Sequence, residues 1–230
     1  MSYPKVAGEF ETVRELLRTG KSIARFGDGE IKALEKGVYT RELVKSRALS
    51  RELKKTLHGP HRNCLIGIPT LDPKGPKFTH WKRAVRRYLP HFTTPPYYSA
   101  FISRPDNGVG METREYYELL VQLWANKNPV VIVAEQRSKL VTCVRETNIV
   151  VHVVCQMFGA YAQIAALEKA VVEAKPAIAL LACGVTATCL ANRLSKHGIQ
   201  AIDIGSIGGF LQRWRTGGSK PTSYAEERTT

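Results

Sequence analysis

Apolar positions in this chain recur with two periods, and the switch between them marks its elements. Near the start, "GEFETVRELLRTG" sets Phe10, Val13, Leu16 and Leu17 on one helical stripe that stops at Gly20. "SIARF" then reads as a short strand, and "GDGEIKALEKG" as a turn into a helix ending at Gly37. "SRELKKTLHGP" is a basic amphipathic helix with Leu53 and Leu57 on its apolar side, followed by a buried strand, "NCLIGIP", that Pro69 ends. The middle is less regular. "THWKRAVRRYLP" reads as a helix with Trp81, Val85 and Leu89 facing in, "YYSAFISRP" as a strand ending at Arg104, and "TREYYELLVQLW" as a helix carrying Tyr116, Leu120, Leu123 and Trp124.

The last third alternates cleanly. "PVVIVAE", "NIVVHVVC", "AIALLACG" and "IQAIDIG" are short apolar strands. "YAQIAALEKAVVEA" and "VTATCLANRLSKHG" are the helices among them, the second closed by Gly198. Strands buried on both faces and alternating with helices predict an α/β fold with a Rossmann-like, mostly parallel sheet and helices on both faces. No proline- or glycine-rich linker divides the chain. The reading is therefore one domain over 1–216, a polar tail over 217–230, and loops from about Pro69 to Asn107 covering one sheet edge.

Composition narrows the partners. The 230 residues carry 34 Lys and Arg against 20 Asp and Glu, a net charge of +14, which favours an anionic partner. No apolar leader or membrane-length run appears. The five cysteines (Cys64, Cys143, Cys155, Cys183, Cys189) contain no CxxC and sit mostly in apolar runs, so a reducing, cytoplasmic setting is expected. Cys183 beside Gly184 is a lesser candidate nucleophile. "HGPH" (58–61) reads as a surface loop rather than a metal pair, and His152 as a hydrogen-bonded strand residue.

In an open parallel sheet, ligands bind beyond the carboxyl ends of the strands. That rule points to 25–30, 69–72, 103–107, 135–137, 184–188 and 203–208. In "CGVTAT", Gly184 makes the turn into a helix whose free N–H groups suit a phosphate, with hydroxyls from Thr186 and Thr188. A threonine-capped turn explains the same residues equally well. "RFGDGE" is stranger, because it sets Asp28 and Glu30 where a phosphate would otherwise bind. Asp28 as a helix N-cap and Glu30 as a partner of the helix dipole account for the acids, though not for Gly27, Gly29 or Arg25. The competing reading is a divalent cation held by both acids and itself holding a diphosphate; on spacing alone the cap comes first.

"SIARFGDGE" resembles the signature of the GT-D-type glycosyltransferases, a family once known only as a domain of unknown function that includes a bacterial adhesin glucosyltransferase. "NCLIGIP", "AFISRP", "PVVIVAEQRSKL" and "LLACGVTATCLANRLSKHGIQAIDIG" are similar to further family segments in the same order. The resemblance implies sugar transfer from a nucleoside diphosphate donor, UDP above all, to a glycan or glycoprotein hydroxyl. It makes Asp28 and Glu30 the Asp-x-Glu pair at a Mn²⁺ or Mg²⁺ diphosphate site, with Arg25 and Gly27 in the same motif. It places Arg104, Gly184, Thr186 and Asp203 along the donor site. The family's histidine and acid after "DIG" are Ser206 and Gly208 here.

Such a reaction needs positive charge on the leaving group, from the metal and from Arg25 or Arg104. If the product inverts, it also needs a base. Asp203 is the first candidate, followed by Glu135, Asp106 and Asp72. An Asp satisfying backbone N–H groups in a glycine turn is the alternative for Asp203. The competing class is a nucleic-acid-binding module using the basic stretches 41–62 and 81–87 on phosphates, but no known RNA- or DNA-binding motif accompanies them.

Overall fold

A computed structural model describes residues 2–36, 38–39, 44–59, 62–75, 77–86, 88–107, 110–156 and 159–217. The expected helix stop at Gly37, His61 of the "HGPH" loop and the tail from 218 lie outside the described residues. The strands are β1 (Ser22–Arg25), β2 (Val38–Tyr39), β3 (Val44–Lys45), β4 (Cys64–Ile68), β5 (Tyr98–Ser99), β6 (Val130–Ala134), β7 (Val150–Val154), β8 (Ile178–Ala182) and β9 (Ala201–Asp203). Seven of them form one sheet in the order β5-β4-β1-β9-β8-β6-β7, and every neighbouring pair is parallel. β2 and β3 form a separate antiparallel pair.

The helices are α1 (Glu9–Thr19), α2 (Asp28–Lys36), α3 (Arg47–His58), α4 (Phe78–Arg86), α5 (Arg114–Val121), α6 (Lys139–Arg145), α7 (Ile164–Glu173), α8 (Val185–Lys196) and α9 (Ile207–Thr216). Period-two alternation sorts the strand side chains between two cores. Val131, Val133, Ile66 and Leu181 face a cluster built with α2, α3, α7 and α8. Val130, Ile132, Leu65 and Ile202 face a second cluster built with α1, α5, α6 and α9. Each fully buried aliphatic side chain contributes about 1.5–3 kcal/mol, so covering both faces is what makes a continuous apolar strand favourable.

Some expectations need correction. "YYSAFISRP" is a strand only at Tyr98–Ser99. Beyond it the Phe101 N–H donates to Ser99 Oγ at 3.0 Å, and the Ala100 carbonyl accepts from Arg25 Nη1 at 2.9 Å, so the chain turns instead of pairing onward. α4 ends at Arg86, and Leu89 lies in a separate 3-10 turn (Leu89–His91), half-buried rather than in the core. Three features went unpredicted: α6, only seven residues long; α9, whose Gly208–Gly209 reads as loop; and the β2–β3 pair.

The topology positions the site. From β1 the chain moves outward to β4 and β5. It restarts at β6 and returns through β8 to β9, beside β1. The two progressions meet between β1 and β9, and a ligand crevice opens at such a reversal, beyond the carboxyl ends of the strands.

Candidate active site

A cleft of about 540 Å³ opens at that reversal. Its floor is the turn from β1 into α2, with Arg25, Gly27, Asp28, Gly29 and Glu30. One wall comes from α4 and the segment after β5, with Lys77, His80, Trp81, Phe101, Arg104 and Asn107. The other wall comes from the ends of β6, β8 and β9, with Glu135, Arg137, Ser138, Lys139, Gly184, Asp203 and Ser206.

The floor differs from the expected cap. The Gly27 carbonyl accepts the first helical bond, from Ile31 at 3.1 Å, so Gly27 is the N-cap and Asp28 the first helical residue. Glu30 reaches back, and its Oε2 accepts from the Gly27 N–H at 2.9 Å, the reciprocal half of a capping box. A Cβ at Gly27 would meet that oxygen at 3.2 Å, which keeps position 27 small. Asp28, half-exposed at the cleft, forms an i,i+4 ion pair with Lys32. Burial, and then the charge of Asp203, push the Glu30 carboxyl from its ordinary 4.5 up to about 7.

Beside this pair lies a buried ion pair at the crevice itself. Arg25 Nη2 donates to Asp203 Oδ1 at 2.9 Å, with the two side chains 12% and 6% exposed. Arg25 Nη1 donates to Ser103 Oγ as well as to the Ala100 carbonyl. The other oxygen of Asp203 accepts from the Arg25 backbone N–H at 3.3 Å and from Thr188 Oγ1 at 3.2 Å. Gly205, at φ +52°, sits so close that a Cβ would come within 2.6 Å of Arg25 Nη2. The guanidinium is thus fixed from three sides, linking β1, β9 and the segment after β5.

The structure brings together Arg25, Gly27, Asp28, Glu30, Arg104, Gly184 and Asp203. It does not bring Thr186 or Thr188 to the cleft: both are buried, and Thr188 Oγ1 turns inward to the Arg25 carbonyl at 2.9 Å and to Asp203. Arg104 donates through Nε and Nη2 to Asp106, both at 2.8 Å, and Lys77 pairs with the same carboxylate. Burial opposes ionisation of Asp106, but these bonds prevail and hold it down to about 2. Asp72 is exposed outside the cleft and caps its own turn by accepting from the Lys74 N–H at 2.8 Å. In the same stretch, Thr70 Oγ1 is taken up by Glu9 and Ser99.

Ser206 lies at the cleft immediately before α9, and Gly208 explains its own size. A Cβ there would lie 2.4 Å from Leu140 N, because α6 packs directly on the start of α9. The cysteines are all free and buried. A bond to Cys155, and then burial, raise the Cys183 thiol well above its ordinary value, which disfavours a thiolate. His152 Nε2 lies 3.3 Å from the Ala134 carbonyl, as expected of a strand histidine. Lys77, His80 and Trp81 on one wall, with Phe101, and Ser138 and Lys139 on the other, are among the lining residues that the sequence did not point to. The signal for the first group was the amphipathic pattern around "THWKRAVRR", read there as a helix with a solvated basic face.

The family model for the glycosyltransferase GT-D fold matches residues 23–222. The chain belongs to this family. Two curated streptococcal proteins are similar to it. "Probable glycosyl transferase Gly" of Streptococcus gordonii is 27% identical over 93% of this chain and 33% of its own length. "Glycosyltransferase GlyD" of Streptococcus pneumoniae serotype 4 is 24% identical over 98% of this chain and 29% of its own length. The chain thus spans about a third of the length of the curated relatives it matches.

Among solved structures, one described as having "a distinct glycosyltransferase fold" for domain of unknown function 1792 superposes with a TM-score of 0.80. It shares 24% identity, over 98% of this chain and 89% of its own. "A New Glycosyltransferase (DUF1792) from Streptococcus sanguinis" gives 0.78 at 24% identity over 94% and 87%. These likenesses establish the GT-D fold. Among the described residues, no helix is long and apolar enough to cross a membrane.

Proposed function

We propose that the cleft binds a nucleoside diphosphate sugar, UDP-linked above all, with Mn²⁺ or Mg²⁺, and transfers the sugar to a hydroxyl of a glycan or glycoprotein. The observation that carries this reading is the Asp28–Glu30 pair on the floor of a cleft whose walls are mainly basic. Two acids alone would repel a diphosphate. Lys77, Arg104, Arg137 and Lys139 in the walls attract one, and a cation between acid and phosphate resolves the conflict.

The donor set fits a hard divalent ion. Both ligating groups are carboxylates, and Glu30 is half-buried without enough positive charge to keep it ionised at an ordinary acid pKa. Among the described residues, no group of three or more His, Cys, Asp or Glu forms a closed metal site. Donor phosphates would therefore supply the remaining oxygens, as is typical of Mg²⁺. Asp28 and Glu30 would hold the ion, which supplies Lewis-acid stabilisation of the departing diphosphate.

The chain's own residues do the rest. Arg25 is a fixed cation in a poorly hydrated crevice, where a preset charge costs no reorganisation as negative charge develops. Asp203 orients it and offsets its burial. Gly184 lines the cleft and leads into the first turn of α8, whose N–H groups would favour the same anion. The test is turnover of UDP-sugars with manganese against chelator. Asp28→Ala and Glu30→Ala are expected to lose metal-dependent turnover by 100-fold or more (~3 kcal/mol of transition-state stabilisation) while keeping the fold. Full activity in both variants, or in chelator, would sink the proposal.

A further inference from the structure

Resting on the reading above, the acceptor hydroxyl must give up a proton as its oxygen bonds to the sugar. Four carboxylates line the cleft: Asp28, Glu30, Glu135 and Asp203. Three are engaged. Asp28 pairs with Lys32, Glu30 accepts from Gly27, and Asp203 is held by Arg25 and Thr188. Glu135 lines the cleft and makes no hydrogen bond or ion pair among the described residues. We infer that Glu135 is the general base of this enzyme.

Its place supports the role. Glu135 follows β6 directly, and all five residues of that strand are buried. After three intervening residues α6 begins, and its first turn is pressed onto Gly208. The carboxylate is therefore carried by a short loop between two fixed elements, the kind of support a catalytic group needs. In the sheet, β9 and β8 separate β6 from β1. At the usual strand spacing that is roughly 14 Å between strand axes, room for a sugar ring and the acceptor hydroxyl between the donor phosphates and the base. His80 is the other proton acceptor lining the cleft without a hydrogen bond among the described residues, but it is exposed on α4, in the opposite wall.

In this step Glu135 takes the hydroxyl proton while the acceptor oxygen forms its bond to the anomeric carbon. The anomeric C–O bond breaks, and its electron pair leaves with the nucleoside diphosphate. One displacement inverts the anomeric configuration.

The test assays Glu135→Gln and Glu135→Ala with UDP-glucose, UDP-galactose and UDP-N-acetylglucosamine, first with water and then with azide as acceptor. UDP affinity is measured alongside by calorimetry. Donor hydrolysis is expected to fall about 100-fold or more, with UDP affinity within about twofold of wild type. Azide carries no proton to remove, so it is expected to restore turnover in Glu135→Ala and to give a glycosyl azide of inverted configuration. Unchanged hydrolysis in Glu135→Gln, loss of UDP affinity together with turnover, no rescue by azide, or a retained configuration each overturns the assignment. So does a loss confined to His80→Gln. Failure of the underlying donor reading looks different: the wild-type protein then neither binds UDP nor turns over any of the three donors.

Discussion

Glu30 carries two duties that conflict once charge is counted. It closes the capping box on Gly27, and it offers an oxygen to the cleft, yet burial and Asp203 push its carboxyl up to about 7. If Glu30 holds the proposed cation, a proton and the metal would compete for it. Manganese affinity is expected to rise about tenfold per pH unit below 7 and to level off above it, and a calorimetric titration from pH 5.5 to 8 checks this. The linkage sign for the metal-free fold is the reverse. A raised folded pKa gives stability that is fully present below the ordinary 4.5 and lost as pH rises through about 7. Melting of the metal-free protein should thus show a pH-dependent loss across that window that Glu30→Gln lacks. Asp203 makes a different claim. Its partner Arg25 is buried, so Asp203→Ala leaves an uncompensated charge, and urea unfolding is expected to show a loss of about 3–5 kcal/mol. A loss under about 1 kcal/mol would mean that the pair does not hold the crevice together.

At the scale of elements, α9 and α6 are packed through a missing side chain. Gly208→Ala puts a methyl within 2.4 Å of Leu140 N, backbone that cannot rotate away. The variant is expected to lose at least about 1–3 kcal/mol and to displace the loop carrying Glu135, so thermal unfolding and turnover should fall together. This contact also shows why the sequence was legible in some places and not in others. The short apolar runs placed the central strands, because their length, β-branched residues and flanking Gly or Pro favour strand over buried helix. "RFGDGE" was legible as a site through its resemblance to the family signature, because its spacing alone fits a helix cap, and Glu30 does close a capping box on Gly27. α9 was hidden, since Gly208–Gly209 reads as loop until α6 is seen against it. Thr188 was misplaced for a related reason: spacing puts it on the first turn of α8 but not on the side of that turn facing Arg25 and Asp203. The helix α4 was legible from its apolar stripe, but its place at the cleft was not, because the irregular segments on either side of it give no sign of which strand end it packs beside.

For the whole molecule, the sheet reversal sets an acid pair into a basic cleft, and that combination is what the proposed metal-assisted diphosphate site rests on, against a general polyanion surface. The net charge of +14 fits either. A nucleic-acid module would bind random oligonucleotides with steep salt dependence and ignore both the metal and the two acids. The most direct measurement is a calorimetric titration of UDP into the wild-type protein, Asp28→Ala and Glu30→Ala, each with manganese and with chelator. One UDP site is expected in the wild type, requiring manganese and lost in both variants. Equal UDP affinity with and without manganese, or in the wild type and the variants, would contradict it.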